Sequence, residues 1–237
     1  MIVNNYLTPN PFSRPGTKLK KIKGVVIHWV ANKKSTAEAN RKFFENRKNE
    51  KNGYGSAHEI IDLNGDVIVC IPKDEIAYHV GSSTYTKEAL ERLSNYPNDC
   101  TYGIECTHVD WEGKMTKETY NSLVNRCVEL CKEFDLNPLT DLWLHKEVVG
   151  WKDCHKWFVN NPNEWDEFMK EVDKRMKNEL KTVNIDLVKG DEKQTVQGFL
   201  VDGKTYIELR ETGEFLDAQV GWDNIEKRAS LIKKGEN

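Results

Sequence analysis

Gly24-Val25-Val26-Ile27-His28-Trp29-Val30 is the stretch on which the reading of this chain turns. A short apolar run rich in β-branched residues predicts a buried strand, here over residues 22–30. His28 sits near its end. One histidine in such a place is ordinarily packed or hydrogen-bonded and nothing more. Its reading changes with a second cluster more than a hundred positions on, Leu144-His145-Lys146 followed by Lys152-Asp153-Cys154. Two imidazoles and a thiol supply three of the four positions of a catalytic zinc, whose fourth is left for water.

Working outward from residue 30, Ser35 with Glu38 three residues later reads as a capping box. It opens a helix to about Arg47, with Ala39, Phe43 and Phe44 on its apolar face. A polar stretch from Lys48 to Gly55 follows. Residues 58–63 and 66–71 then flank Asn64-Gly65, the strongest short-range hairpin signal. Residues 101–107 predict a further strand, and residues 116–134 a long helix with Tyr120, Leu123, Val124, Cys127, Val128, Cys131 and Phe134 at helical spacing. Residues 141–145 predict a short strand. Asn161 as N-cap and Pro162 at the first helical position start a last helix with Trp165, Phe168, Met169 and Val172 inward. Strands alternating with helices indicate α/β architecture: a mixed central sheet flanked by helices over residues 1–178. After a linker at 179–182 the texture changes. Residues 183–188, 195–201 and 205–209 read as strands, Asp202-Gly203 as a hairpin turn, 210–216 as a short helix, and Asp223-Asn224 as a turn. Residues 183–237 are thus expected to form a small α+β domain, marginal in core size and suited to self-association.

The 237 residues hold 38% hydrophobic and 31% charged residues with a net charge of −3, which suits a globular protein and argues against a nucleic-acid binder held by phosphate contacts. The surplus falls entirely after residue 178, where 9 Lys and Arg stand against 12 Asp and Glu. Residues 1–6 carry neither a basic nor an apolar signal region, and no apolar run approaches the ~20 residues of a membrane span. Synthesis in the cytoplasm without a signal peptide, and no membrane insertion, are the expectations. Six scattered cysteines fit a reducing compartment. Cys127 and Cys131, four apart in the amphipathic pattern, read as helix core.

A zinc hydrolase needs ligands that leave one position open, a base for the water, and a cation for the developing oxyanion. His28 and His145 offer neutral imidazoles and Cys154 a thiolate. Lys152, two residues before the thiolate, reaches the open position as the cation. Glu105, in Tyr102-Gly103-Ile104-Glu105-Cys106, is the base candidate, because a carboxylate in a central strand is costly to bury without a partner.

Val25-Val26-Ile27-His28, Ser56-Ala57-His58 before Ile60-Ile61-Asp62, Tyr78-His79-Val80-Gly81, Tyr102-Gly103-Ile104-Glu105, and His145 with Lys152-Asp153-Cys154 occur in this order. Together they resemble the zinc-dependent N-acetylmuramoyl-L-alanine amidases of the T7-lysozyme and peptidoglycan-recognition-protein superfamily, in the branch of endolysins from phages of Gram-positive hosts. The resemblance covers about residues 1–178. It implies zinc on His28, His145 and Cys154, Glu105 as general base, Lys152 polarising the carbonyl, and His79 in the groove near glycan or peptide. Trp29 and Tyr54 are expected separately as substrate contacts. The resemblance also implies peptidoglycan as partner, hydrolysis of the bond between N-acetylmuramic acid and L-alanine, and action at the cell wall after holin-type release. Two positions depart from the family pattern. Ala57 stands where some members have a tyrosine, which moves proton handling to Glu105, and His155-Lys156 follows the cysteine where relatives often have proline. The alternative, a peptidoglycan-binding module without catalysis, is disfavoured because such members commonly lack the ligand present here as Cys154. Residues 198–210 with Val220-Gly221-Trp222-Asp223 resemble the stalk-type domain named after the N-terminal region of copper amine oxidases. That implies wall anchoring or self-association, and no copper, since no His or Cys lies beyond His155.

The remaining candidates read as structural. His58 orients the hairpin, and His108 and His155 are solvated loop residues. Asp153 is a local hydrogen-bonder, Cys106 is core, and residues 18–23 form a charged, solvated edge. Trp29, Trp151 and Trp157 either stack on sugar or belong to the core.

Overall fold

The computed structural model describes residues 1–49, 53–177, 181–201, 203–223 and 228–233. Among them the chain divides into two units, Met1–Met176 and Lys177–Asn237. In the first, six strands make one sheet: β1 (Ile2–Asn4), β2 (Gly24–Trp29), β3 (Glu59–Ile61), β4 (Val67–Val69), β5 (Thr101–Cys106) and β6 (Leu142–Leu144). Their order is β1-β4-β3-β5-β2-β6, with β3 antiparallel to β4 and every other neighbouring pair parallel. The sheet is therefore mixed. The apolar run lies between β5 and β6 with Val25, Val26 and Ile27 fully buried, because a strand covered on both faces has no place for a polar side chain along most of its length.

The period of two sorts the side chains between the faces. Val25 and Ile27 of β2 and Tyr102, Ile104 and Cys106 of β5 join the main core against α3 (Lys117–Phe134) and α7 (Pro162–Lys177), where Leu123, Val124, Cys127, Cys131, Phe168 and Val172 face inward. The alternate residues Val26, His28, Gly103 and Glu105 point to the other side. There α1 (Ala37–Asn46), α2 (Lys87–Arg92) and α5 (His145–Val149) lie, and Val26 packs with Ala89, Val148 and Val149. Two short helical turns, α4 (Pro138–Asp141) and α6 (Lys156–Asn160), complete this unit. All six cysteines are buried free thiols.

Several local expectations need correction. The side chain that caps α1 is Thr36, whose Oγ1 accepts from the Ala39 N–H, while Ser35 Oγ donates backward to the Asn32 carbonyl. Two adjacent hydroxyls compete for one capping position, and the one beside the first helical residue wins. On that helix Phe44 is buried, but Phe43 is 52% exposed and Ala39 is exposed as well. His145 is the first residue of a helix, not the last of a strand. His108 and His155 are both fully buried, not solvated, because the loops that carry them fold back over Trp29 and Phe158.

In the second unit β7 (Lys181–Lys189) and β8 (Glu192–Val201) form a long antiparallel hairpin, to which β9 (Lys204–Ile207) adds a third strand. After α8 (Leu209–Phe215), β10 (Ala218–Asp223) pairs with β11 (Arg228–Lys233), a strand that the sequence reading missed. Residues 181 and 182, expected in a linker, already belong to β7, since antiparallel pairing to Leu200 and Phe199 extends the strand beyond its apolar part. Residues 179–180 and the turn positions Asp202 and Asn224 lie outside the described residues. Among the described residues of this unit Leu187, Val196 and Ala218 are its buried hydrophobics, whereas Phe199, Tyr206, Leu231 and Ile232 are exposed. Among the described residues no helix is long and apolar enough to cross a membrane.

Candidate metal centre and active site

Parallel strands that end together create the site. Ile27 of β2 pairs with Leu144 of β6, so the next residues, His28 and His145, emerge side by side at the carboxyl ends of adjacent strands. Open sheets of this kind hold ligands at that edge. On the other flank His28 pairs with Glu105 of β5. Cys154 arrives from the loop after α5. Gly150, at φ +86°, ends that helix in the left-handed region that a Cβ disfavours, and the Lys146 N–H then holds the Cys154 carbonyl at 2.9 Å.

The donor atoms of His28, His145 and Cys154 lie within 4.8 Å of one another, and all three residues are buried. His28 Nδ1 is 3.6 Å from Cys154 Sγ, and the rings of His28 and His145 meet edge to face at 4.6 Å. Both ring nitrogens of His145 are buried with no hydrogen-bond partner among the described residues. A buried polar atom without a partner costs roughly 1–3 kcal/mol, so a pair of them on one ring beside a second imidazole and a thiol fits a ligand set for a cation. Burial drives the pKa of His28 well below that of a free imidazole, and burial with the charge of Lys152 brings His145 to about 3. Both rings are neutral, as metal ligands must be. Burial, with the nearby Glu105 carboxyl, pushes the Cys154 thiol far up, and ligation of a metal there would require its proton to leave. The triad fits zinc in donor type and number, and its two imidazoles in protonation.

Glu105 is half-buried with Oε2 shut from solvent and unpartnered among the described residues. Burial lifts its carboxyl to about 8 against the opposing charge of Lys152. A carboxyl poised near neutrality inside a cleft is what proton transfer at physiological pH requires. Lys152 is exposed at the rim, while its neighbour Asp153 binds Lys146 at 2.7 Å.

A cavity of about 840 Å³ takes in all five of these residues, and Trp29, Tyr54 and His79 also line it. Tyr54 is 66% exposed and meets Tyr78 edge to face. His79, by contrast, is buried behind His28 with its Nδ1 3.0 Å from His28 Nε2. Trp151 is exposed and donates from Nε1 to Ser82 Oγ. Phe43, Arg47, Tyr78 and Tyr96 complete the wall and were not anticipated. Phe43, expected on the apolar face of α1, lines the cavity instead, and Arg47 one turn later stacks on it at 4.7 Å.

The profile of the family described as N-acetylmuramoyl-L-alanine amidase matches residues 18–157. The chain is 29% identical over 182 residues to N-acetylmuramoyl-L-alanine amidase BlyA of Bacillus subtilis (strain 168), covering 74% of this chain and 48% of that protein. It is 26% identical over 200 residues to a probable N-acetylmuramoyl-L-alanine amidase of Bacillus licheniformis, covering 84% and 54%. It thus spans about half the length of these curated relatives. Among solved structures PlyL superimposes with a TM-score of 0.57 at 19% identity, over 73% of this chain and 96% of that one. With more than half of its residues under the family profile, the chain belongs to the N-acetylmuramoyl-L-alanine amidase family.

Proposed function

We propose that the chain is a zinc-dependent amidase that hydrolyses the bond between the lactyl carboxyl of N-acetylmuramic acid and L-alanine in peptidoglycan, and so lyses bacterial cell walls as an endolysin does. The observation that carries this is the buried imidazole of His145, unpartnered among the described residues, beside His28 and Cys154 in the same cavity as Glu105 and Lys152. His28, His145 and Cys154 hold the zinc, which when bound supplies a Lewis acid and lowers the pKa of water to about 7.

The chain's own residues do the rest. Glu105 takes a proton from the attacking water as its oxygen bonds to the carbonyl carbon. The ammonium of Lys152 faces the negative charge that gathers on the carbonyl oxygen. As the carbon–nitrogen bond breaks, Glu105 returns the proton to the departing α-amine of L-alanine. Tyr54 and Trp29 offer aromatic faces to sugar or peptide along the cavity.

The test is digestion of purified cell walls: new amino-terminal L-alanine is expected, together with one zinc per chain. New reducing sugar ends in place of alanine amines would refute the amidase assignment. Residues 183–237 are read as a wall-anchoring or self-associating domain, supported by exposed Phe199, Tyr206, Leu231 and Ile232 on a unit with few buried hydrophobics. Sedimentation of the full chain, alone and with intact walls, decides between those two roles.

A further inference from the structure

Behind the metal triad a row of hydrogen bonds has a direction that its last member sets. His28 Nε2 lies 3.0 Å from His79 Nδ1. His79 Nε2 lies 3.2 Å from Thr101 Oγ1 and 3.3 Å from the Thr101 carbonyl oxygen. Thr101 Oγ1 in turn donates to the Pro97 carbonyl at 2.7 Å. A carbonyl only accepts, so the single hydroxyl hydrogen of Thr101 is committed to Pro97, and toward His79 the threonine presents acceptors alone. His79 Nε2 must therefore carry the N–H. In a neutral ring Nδ1 is then an acceptor, which obliges His28 Nε2 to be the donor. The lone pair of His28 is left on Nδ1, the atom that faces Cys154 Sγ at 3.6 Å.

His79 is held at its ring and at its backbone. A Cβ on Gly103 would stand 2.5 Å from His79 Cγ, so the strand beneath the ring must be glycine there. Asn98 Oδ1, itself fully buried, accepts the backbone N–H of His79 at 3.1 Å and of Val80 at 2.9 Å. The ring is only 6% exposed, and with both nitrogens engaged it has no free polar atom for a sugar or peptide.

We infer that His79 is a positioning residue for the metal and not a substrate contact: it locks His28 in the Nε2–H tautomer, so that the Nδ1 lone pair is aimed at the zinc held with His145 and Cys154. Partners that orient a ligating imidazole in this way typically govern metal affinity by ~10–100-fold. The inference rests on the zinc reading proposed above.

Long-range proton–nitrogen NMR on the full chain, metal-free and zinc-loaded, reads the tautomers directly. Nε2–H on both His28 and His79 is expected in both states. Zinc affinity by chelator competition, with the cobalt(II) visible spectrum as a record of the donor geometry, reads the consequence. His79→Phe fills the ring's space without an acceptor and is expected to weaken zinc binding ~10–100-fold and to alter the cobalt spectrum. His79→Gln, whose amide oxygen can accept from His28, is expected to restore most of both. Nδ1–H on His79 in the wild type overturns the inference even if the phenylalanine variant does not fold. So does a folded His79→Phe chain with wild-type zinc affinity. A wild-type chain that holds no zinc overturns the metal reading itself, and this role with it.

Discussion

His58 and Glu59 at the start of β3 and the pair His145 and Glu105 at the carboxyl ends of β6 and β5 are the same two side-chain types beside one sheet, in opposite condition. His58 accepts the Gly103 N–H on Nδ1 at 2.9 Å, places Nε2 3.0 Å from the Glu75 carbonyl, and stacks on Tyr102 at 4.2 Å. Glu59, 1% exposed, accepts from the Tyr102 hydroxyl at 2.7 Å and from Arg126 Nε at 2.9 Å. Every polar atom there is answered from within the protein. At the strand ends His145 has both nitrogens unanswered and Glu105 its Oε2, among the described residues. Burial alone thus does not mark a functional group. A missing partner alone does not either, since among the described residues both ring nitrogens of buried His155 also lack one; what marks the site is unpartnered donors that converge on one cavity.

Removing one member of the unanswered set should be the most severe change. Cys154→Ser is expected to lower wall hydrolysis by about 10⁴-fold or more, the scale of losing a catalytic unit. Zinc content by mass spectrometry should fall well below one per chain while circular dichroism stays unchanged. Retained activity in that variant after chelation would erase the distinction between the two regions. Glu105→Gln comes next. It keeps the volume, removes the base, and is expected to cost about 10²–10⁴-fold in kcat with zinc still bound. On the satisfied side the damage should appear in stability. Arg126→Met leaves the Glu59 carboxylate buried and unpaired, a loss of about 3–5 kcal/mol in chemical unfolding, part of which Glu59→Gln in the same chain recovers.

The satisfied imidazole also predicts a pH effect. Burial, only partly offset by the hydrogen bond to Glu75, lowers the His58 pKa from 6.5 to about 4. Between those values the unfolded chain binds a proton that the folded chain refuses. The His58 contribution is therefore complete above pH 6.5 and is lost as the pH falls to 4, about 3 kcal/mol in all. Urea midpoints of wild type and His58→Gln should converge on acidification; parallel curves would place the acid sensitivity elsewhere. The smallest change joins the two regions. Gly103→Ala sets a methyl against His79 on a strand whose N–H serves His58. A loss of about 1–3 kcal/mol is expected from overpacking, with weaker zinc binding than in the wild type.

Much of the site was legible because its chemistry is carried by short, ordered motifs. His28, Glu105, His145, Lys152 and Cys154 were all named from the sequence, and the structure brings all five to one cavity. The Asn64-Gly65 hairpin and the long helix α3 were legible for a different reason: local turn chemistry and a sustained period decide them. The short elements were not. β1 (three exposed residues), α2 and α6 carry too little pattern to stand out, and β1 exists only because β4 offers it a parallel edge. His108 and His155 were misplaced in solvent terms for a related reason, since whether a loop histidine faces water depends on what folds over it.

The sequence by itself determined the α/β class, the buried central strand and the choice of His28, His145 and Cys154 as a candidate donor set, because residue type and spacing express these locally. Only the tertiary structure decided which buried histidines are answered and which are not. That depends on where the Gly103 N–H, the Glu75 carbonyl and the Thr101 hydroxyl come to rest, and those groups meet His58 and His79 only after parallel strands from distant parts of the chain have closed into one sheet.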